Sequence, residues 1–198
     1  MKRGLLLLIL LVCSATRAIE KESVMISAQS PVVFRHENKA ENLKALFEQL
    51  HRAISTGDVK KAAQLTRQLL PDERRIRKAL KDDISADTVN RIVAFYQSRI
   101  PTAEDQLAKV FYAKPENTQV NVYAATSEEI ARYEGGSTAF NHFPGGSKRI
   151  AAEMLHPRMT FYEVELVKPG ETAGMTYHLF FWDGAQWTML GPVWRMLG

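Results

Sequence analysis

Hydrophobic residues change their period near Pro115, and that switch decides the fold class. Up to about residue 112 they recur every three or four positions, the spacing of one helix face. Leu43, Leu46, Phe47, Leu50 and Ile54 form the first such stripe. Gly57 stops that helix and Asp58 can cap the next, whose stripe is Val59, Ala62, Ala63, Leu69 and Leu70, ended by Pro71. So short a link makes the two helices double back on each other. Asp72 and Glu73 open a third helix, followed by Arg74, Arg75, Arg77, Lys78 and Lys81. This order suits the helix dipole, and the basic run reads as a solvated face with i, i+4 pairs. The alternative is a patch for anionic lipid. Ser85 can cap a fourth helix (Val89, Ile92, Val93, Tyr96) and Thr102 a fifth (Leu107, Val110, Phe111).

Beyond Pro115 apolar residues alternate. Residues 119–125 read as a strand, and Thr126-Ser127-Glu128-Glu129 as a capping box opening a short helix. Residues 135–147 are Gly-rich and read as a loop, with a helix at 148–155. Tyr162, Val164 and Leu166 face one way, and Glu163 and Glu165 the other, as in a half-exposed strand. Pro169-Gly170 suits a type II turn, 175–182 is a strand, and Asp183-Gly184 is a hairpin turn before a return at 187–190. Helices first and an antiparallel meander after imply one α+β domain over 37–198. Its helical part (37–112) packs on a small sheet of about four strands (116–198).

The N-terminus has the three parts of a secretory signal: Lys2 and Arg3, an unbroken apolar run from Leu5 to Val12, and small residues at the exit. Thr16 and Ala18 fit the −3 and −1 positions of a cut after Ala18, and a cut after Ala15 is the alternative. The run is far shorter than the roughly 20 apolar residues of a spanning helix. Val12 before Cys13 stands where a lipidation site wants a small residue. Residues 19–36 read as an extended leader. Loss of residues 1–18 removes Lys2, Arg3 and Arg17 and no acid, so 26 bases become 23 against 22 acids, a net charge of +1 instead of +4. Nucleic-acid binding needs a stronger basic excess. The one cysteine, Cys13, leaves with the signal, so the mature chain is expected to have no disulfide, thiolate nucleophile or Cys-ligated zinc. The expected location is the periplasm or the medium, with no transmembrane segment in the mature chain.

Phe143-Pro144-Gly145-Gly146, Lys168-Pro169-Gly170-Glu171, Gly174-Met175-Thr176-Tyr177 and the run from Asp183-Gly184 through Trp187 to Gly191-Pro192-Val193-Trp194 resemble segments of uncharacterised exported bacterial proteins. The resemblance covers residues 140–197 and implies a bacterial envelope setting; it carries no activity and no site. The expected sheet backed by helices is also similar to cystatin-like or nuclear-transport-factor-like cups, a likeness of fold that does not carry function.

Chemistry-bearing residues are sparse. No HExxH, GxSxG or GxxxxGK[ST] pattern occurs, so no catalytic residue, metal site or cofactor is assigned. His51 lies beside the first apolar stripe and reads as a boundary residue, and Glu163 and Glu165 read as solvated. His178 is placed on one strand face with Phe180 and Trp182, next to Tyr177; on the wall of a cup it can hold a ligand or move a proton. In the Gly-rich stretch, His142 and Phe143 precede a helix start with Lys148 and Arg149 just inside, an arrangement that favours anions. The candidate ligand-binding set is therefore His178, Tyr177, Trp182, His142, Phe143, Lys148 and Arg149. The expected function is non-catalytic binding of an envelope protein or of a small apolar or anionic ligand. The alternatives are a cofactor-free enzyme with an acid/base histidine, and an envelope structural protein using its basic helix. An enzyme is expected to give His178 a polar partner within about 3 Å in a closed pocket; a binding module is expected to show an exposed apolar groove.

Overall fold

Helix α1 (Ala40–Ser55) carries the first stripe and ends at Gly57, whose φ of +73° closes it. Helix α2 (Val59–Leu69) starts at Asp58, whose carboxylate accepts the Lys61 amide. The same cap chemistry starts α3 (Glu73–Ala79) at Asp72 and α4 (Ala86–Gln97) at Ser85. Helix α5 (Glu104–Leu107) begins after Ala103, so Thr102 stands one residue too early to cap it. The computed structural model describes residues 38–196; the expected signal and the leader at 19–36 lie outside the described residues. All that is described belongs to one unit, Phe34–Gly198.

The strands are β1 (Gln119–Thr126), β2 (Thr160–Val167), β3 (Gly174–Trp182) and β4 (Trp187–Met189), paired antiparallel in the order β1-β2-β3-β4. Between β1 and β2 lie α6 (Ser127–Arg132), α7 (Thr138–His142) and α8 (Gly145–Glu153). Helix α6 opens with the capping box, Thr126 and Glu129 exchanging hydrogen bonds. The fold is α+β, with the helical half first and a four-stranded antiparallel sheet after it. The Gly-rich stretch departs from expectation. Ser137 caps α7, and α8 starts at Gly145 instead of 148.

Helices cover both faces of the sheet. On one face Leu43, Phe47, Leu50, Leu69 and Phe111 pack on Val120, Tyr162, Val164 and Phe180. The Phe47 ring meets Phe180 edge-on at 5.2 Å and Phe111 at 5.7 Å, a geometry worth about 0.5–1.5 kcal/mol beyond burial. On the other face Ile76, Ile92, Ile130 and Ile150 pack on Ala125, Phe161 and Phe181. The odd-numbered face of β2, expected to be solvated, is therefore largely buried.

The basic run is a solvated face at Arg74, Arg77 and Lys78, as expected, but not at Arg75. Arg75 is buried, with Nε 2.9 Å from Asp183 Oδ2 and side-chain exposures of 3% and 2%. Its guanidinium also donates to the carbonyls of Gln68, Leu70 and Trp187. One side chain thus ties the end of α2 to β4 and to the β3–β4 turn. Burial pushes the Asp183 carboxyl up, but the Gln186 and Ala185 amides, with Arg75 and Lys78, outweigh it and hold it below its ordinary value. Lys78 donates to the Asp183 carbonyl and Lys81 to the Ala152 carbonyl; Arg77 makes the expected i, i+4 pair with Glu73. Arg75→Met takes the counter-charge from a buried carboxylate and a donor from three carbonyls, and is expected to cost about 3–5 kcal/mol in urea unfolding. Arg77→Met, breaking an exposed pair, is expected to change stability by less than about 0.5 kcal/mol.

Candidate functional site

Pairing of β2 with β3 slips by one residue in mid-strand. Tyr162 faces Phe180, but Val164 faces Tyr177, so Glu163 lies opposite both His178 and Leu179. This is a β-bulge. Leu179 takes up the extra residue at φ +52°, a region a branched side chain enters at a cost. What holds it there is Glu163, whose side chain is 0% exposed. Oε1 accepts the Leu179 amide at 3.1 Å, and Oε2 lies 2.6 Å from Nδ1 of His178. Beyond the bulge the carbonyls of His178 and Leu179 accept the amides of Gly191 and Leu190, and Tyr96 Oη donates to the Leu190 carbonyl.

Burial pushes the Glu163 carboxyl up to about 7, against the pull of His178 and the Leu179 amide. The pair therefore holds an exchangeable proton near neutrality. With Glu163 ionised, Nδ1–H donates to it. With Glu163 protonated, its hydroxyl can donate to Nδ1 and the ring proton moves to Nε2. The His178 side chain is 22% exposed, so the pair sits at the boundary of the core.

Registered neighbours share a sheet face, which places Tyr123 beside Glu163, and Asn121 and Thr176 beside Glu165. Tyr123 Oη and Asn121 Nδ2 reach Glu165 Oε2 at 3.3 and 3.4 Å. His142, from α7, stacks flat on the Tyr123 ring with centroids 3.4 Å apart. Trp194, in the short 3₁₀ turn Val193–Arg195, meets the His178 ring at 5.5 Å. Gly146 at the start of α8 lies so close under Trp194 that a Cβ there would clash with the indole. One end of this face is thus polar and half-buried, while the rest is sealed by helices.

The candidate residues divide. His178 and His142 come to this polar end. Tyr177 and Trp182 do not: Tyr177 packs on Phe47 and Phe111 and donates to the Tyr112 carbonyl, and Trp182 packs on Trp187, all on the opposite face. The bulge is the reason, since strict alternation puts 178, 180 and 182 together and one extra residue moves His178 across. Phe143 is buried in the core, and its carbonyl accepts the Tyr133 hydroxyl. Lys148 and Arg149 lie exposed on α8. Sequence reasoning missed Glu163, Tyr123 and Trp194 as site residues. An acid in a mostly apolar strand is the signal that points to Glu163, and Glu165 shares it.

Among the described residues no group of three His, Cys, Asp or Glu side chains is placed to hold a metal ion, and no helix is long and apolar enough to cross a membrane. The chain matches no protein-family model, no curated protein and no solved structure.

Burial of Glu163 gives stability a pH dependence of definite sign. The carboxyl keeps its proton up to about 7 in the fold and only to its ordinary 4.5 when unfolded. Its favourable contribution is complete below 4.5 and is lost as pH rises through about 7. Glu163→Gln keeps the shape without the charge. Its stability relative to the parent is expected to rise from pH 5 to pH 8 by up to roughly 3 kcal/mol in urea unfolding.

Proposed function

We propose that this chain is an exported bacterial protein that binds a small ligand carrying an exchangeable proton at the polar end of its sheet. His178 is the contact residue, through Nε2, and Glu163 sets its tautomer. The observation that carries this reading is the 2.6 Å contact between the buried carboxyl and His178 Nδ1. A ring fixed at one nitrogen presents the other in a defined direction and protonation state. Tyr123 and His142, stacked on each other, and Trp194, against the His178 ring, border this end of the face.

A second reading rests on the same contact. A carboxylate behind a histidine is the arrangement that equips the far nitrogen to take a proton from a substrate. This is cofactor-free acid/base chemistry, and the polar partner at 2.6 Å favours it over a passive sheet-surface histidine. Ligand-observed NMR with phenol, imidazole and benzoic acid tests the binding reading. At least one probe is expected to bind saturably to the parent protein, with binding lost in His178→Ala. No binding, or binding that survives the substitution, overturns it. Deuterium exchange at the acidic C–H of acetylacetone separates the two readings. Acceleration by the parent protein and not by His178→Ala supports catalysis; binding without acceleration supports the ligand-binding reading alone.

The export half of the proposal rests on Lys2, Arg3, the apolar run to Val12 and the Thr16/Ala18 exit, with the resemblance of residues 140–197 as further support. Mass spectrometry of the protein secreted by a bacterial host is expected to give an N-terminus at Ile19, or at Thr16 if the earlier cut is used. A chain retained in the cytoplasm with residues 1–18 intact overturns it.

A further inference from the structure

Strands β1 and β4 are the two edges of the sheet. An edge strand leaves one row of its N–H and C=O groups unpaired. The chain protects the β4 edge. That strand has 3 residues. The Asp183 amide donates to the Gln186 carbonyl across the turn. By alternation Thr188 bonds to β3 and Trp187 turns its peptide groups outward. The Arg75 guanidinium takes the Trp187 carbonyl there.

The β1 edge has no such protection. It runs for 8 residues in unbroken register with β2 and contains no charge, no proline and no bulge. At its end the Ser127 amide donates to the Met159 carbonyl opposite, which fixes the alternation. Odd-numbered residues bond to β2, and Val120, Val122 and Ala124 turn their peptide groups outward. Among the described residues none of these outward groups has a hydrogen-bond partner. Ala124 is exposed and Val122 half-buried. A long, uncharged, open edge of this kind is what an added strand bonds to.

The edge is complementary to itself. Set antiparallel to a second β1 about a two-fold axis at Tyr123, Val122 of each copy lies opposite Ala124 of the other. Both residues turn outward, so each such pair exchanges its N–H···O=C bonds in both directions. No charge meets its like across the axis, and Ala124 brings little bulk to it. We propose that two copies of this chain join edge to edge through β1, continuing one antiparallel sheet across the dimer. Such pairing needs no ligand at His178.

Sedimentation velocity from micromolar to millimolar protein, with amide hydrogen exchange followed by NMR, tests this. The protein is expected to pass from monomer to dimer as its concentration rises, and exchange of the Val122 and Ala124 amides to slow in step. Ala124→Lys changes an exposed side chain and sets a lysine near the axis in each copy. It is expected to weaken the dimer at least about tenfold, with the circular dichroism of the parent. The exchange measurement uses the parent alone, so it decides even where the variant is unstable. Protein that stays monomeric throughout overturns the proposal. So does a dimer that Ala124→Lys leaves as tight, or one in which the two amides exchange as fast as in the monomer.

Discussion

A carboxyl group removed from water must give up its charge or find donors, and Glu163 does part of each. It takes one amide and one imidazole, and burial still lifts it to about 7. The geometry of the sheet follows from this group. Without an acceptor at Glu163, Leu179 has no counterweight for its left-handed backbone, and β3 has no reason to gain a residue. With it, the side chains of β3 change faces at the bulge. Tyr177 goes to the α1 side and His178 to the other, and Phe180 and Phe181 fill both cores. The candidate site and the packing of the aromatic strand are two results of one local arrangement.

The chain holds a second buried ionic pair, and the contrast defines both. Arg75 and Asp183 are satisfied on every side. The guanidinium meets a carboxylate and three carbonyls, and Asp183 also accepts the Ala185 and Gln186 amides. Such a network fixes three elements and leaves nothing for a ligand. Glu163 and His178 are satisfied on the inner side only. Nδ1 is used, Nε2 has no hydrogen bond among the described residues, and the ring lies at the edge of the core. Burial of the acid marks both pairs; incompleteness is what singles out the second as the proposed ligand contact.

Much of the fold was legible because its signals are local. The caps at Asp58, Asp72 and Ser85 and the capping box at Thr126 are short-range chemistry that the sequence states directly. The change of period at Pro115 divides helices from sheet. Arg75 gave a fainter signal, lying one turn before Ala79 beside the apolar residues of α3 while its basic neighbours point elsewhere. The Gly-rich stretch was misleading because glycine disfavours helix. Helix α8 nonetheless starts there, with the Trp194 ring lying where a Cβ at Gly146 would be. That contact crosses about 50 residues of chain, and no window of sequence contains it. The pairing of Glu163 with His178 was hidden for another reason. Their numbers have opposite parity, and the bulge that reconciles them carries no glycine as a marker.

The bulge also connects the site to the end of the chain. The His178 and Leu179 carbonyls hold the segment Leu190–Gly191, and Tyr96 from α4 holds Leu190 from the other side. That segment leads into the 3₁₀ turn that sets Trp194 between the His178 ring and Gly146 of α8. A ligand that displaces His178 therefore works against Trp194 and, through it, against α8. The inner side of the ring is equally constrained, since Nδ1 lies 2.6 Å from the buried Glu163 carboxyl. On the proposed reading the outer nitrogen is the ligand contact, and the buried carboxyl behind it fixes the direction in which it points.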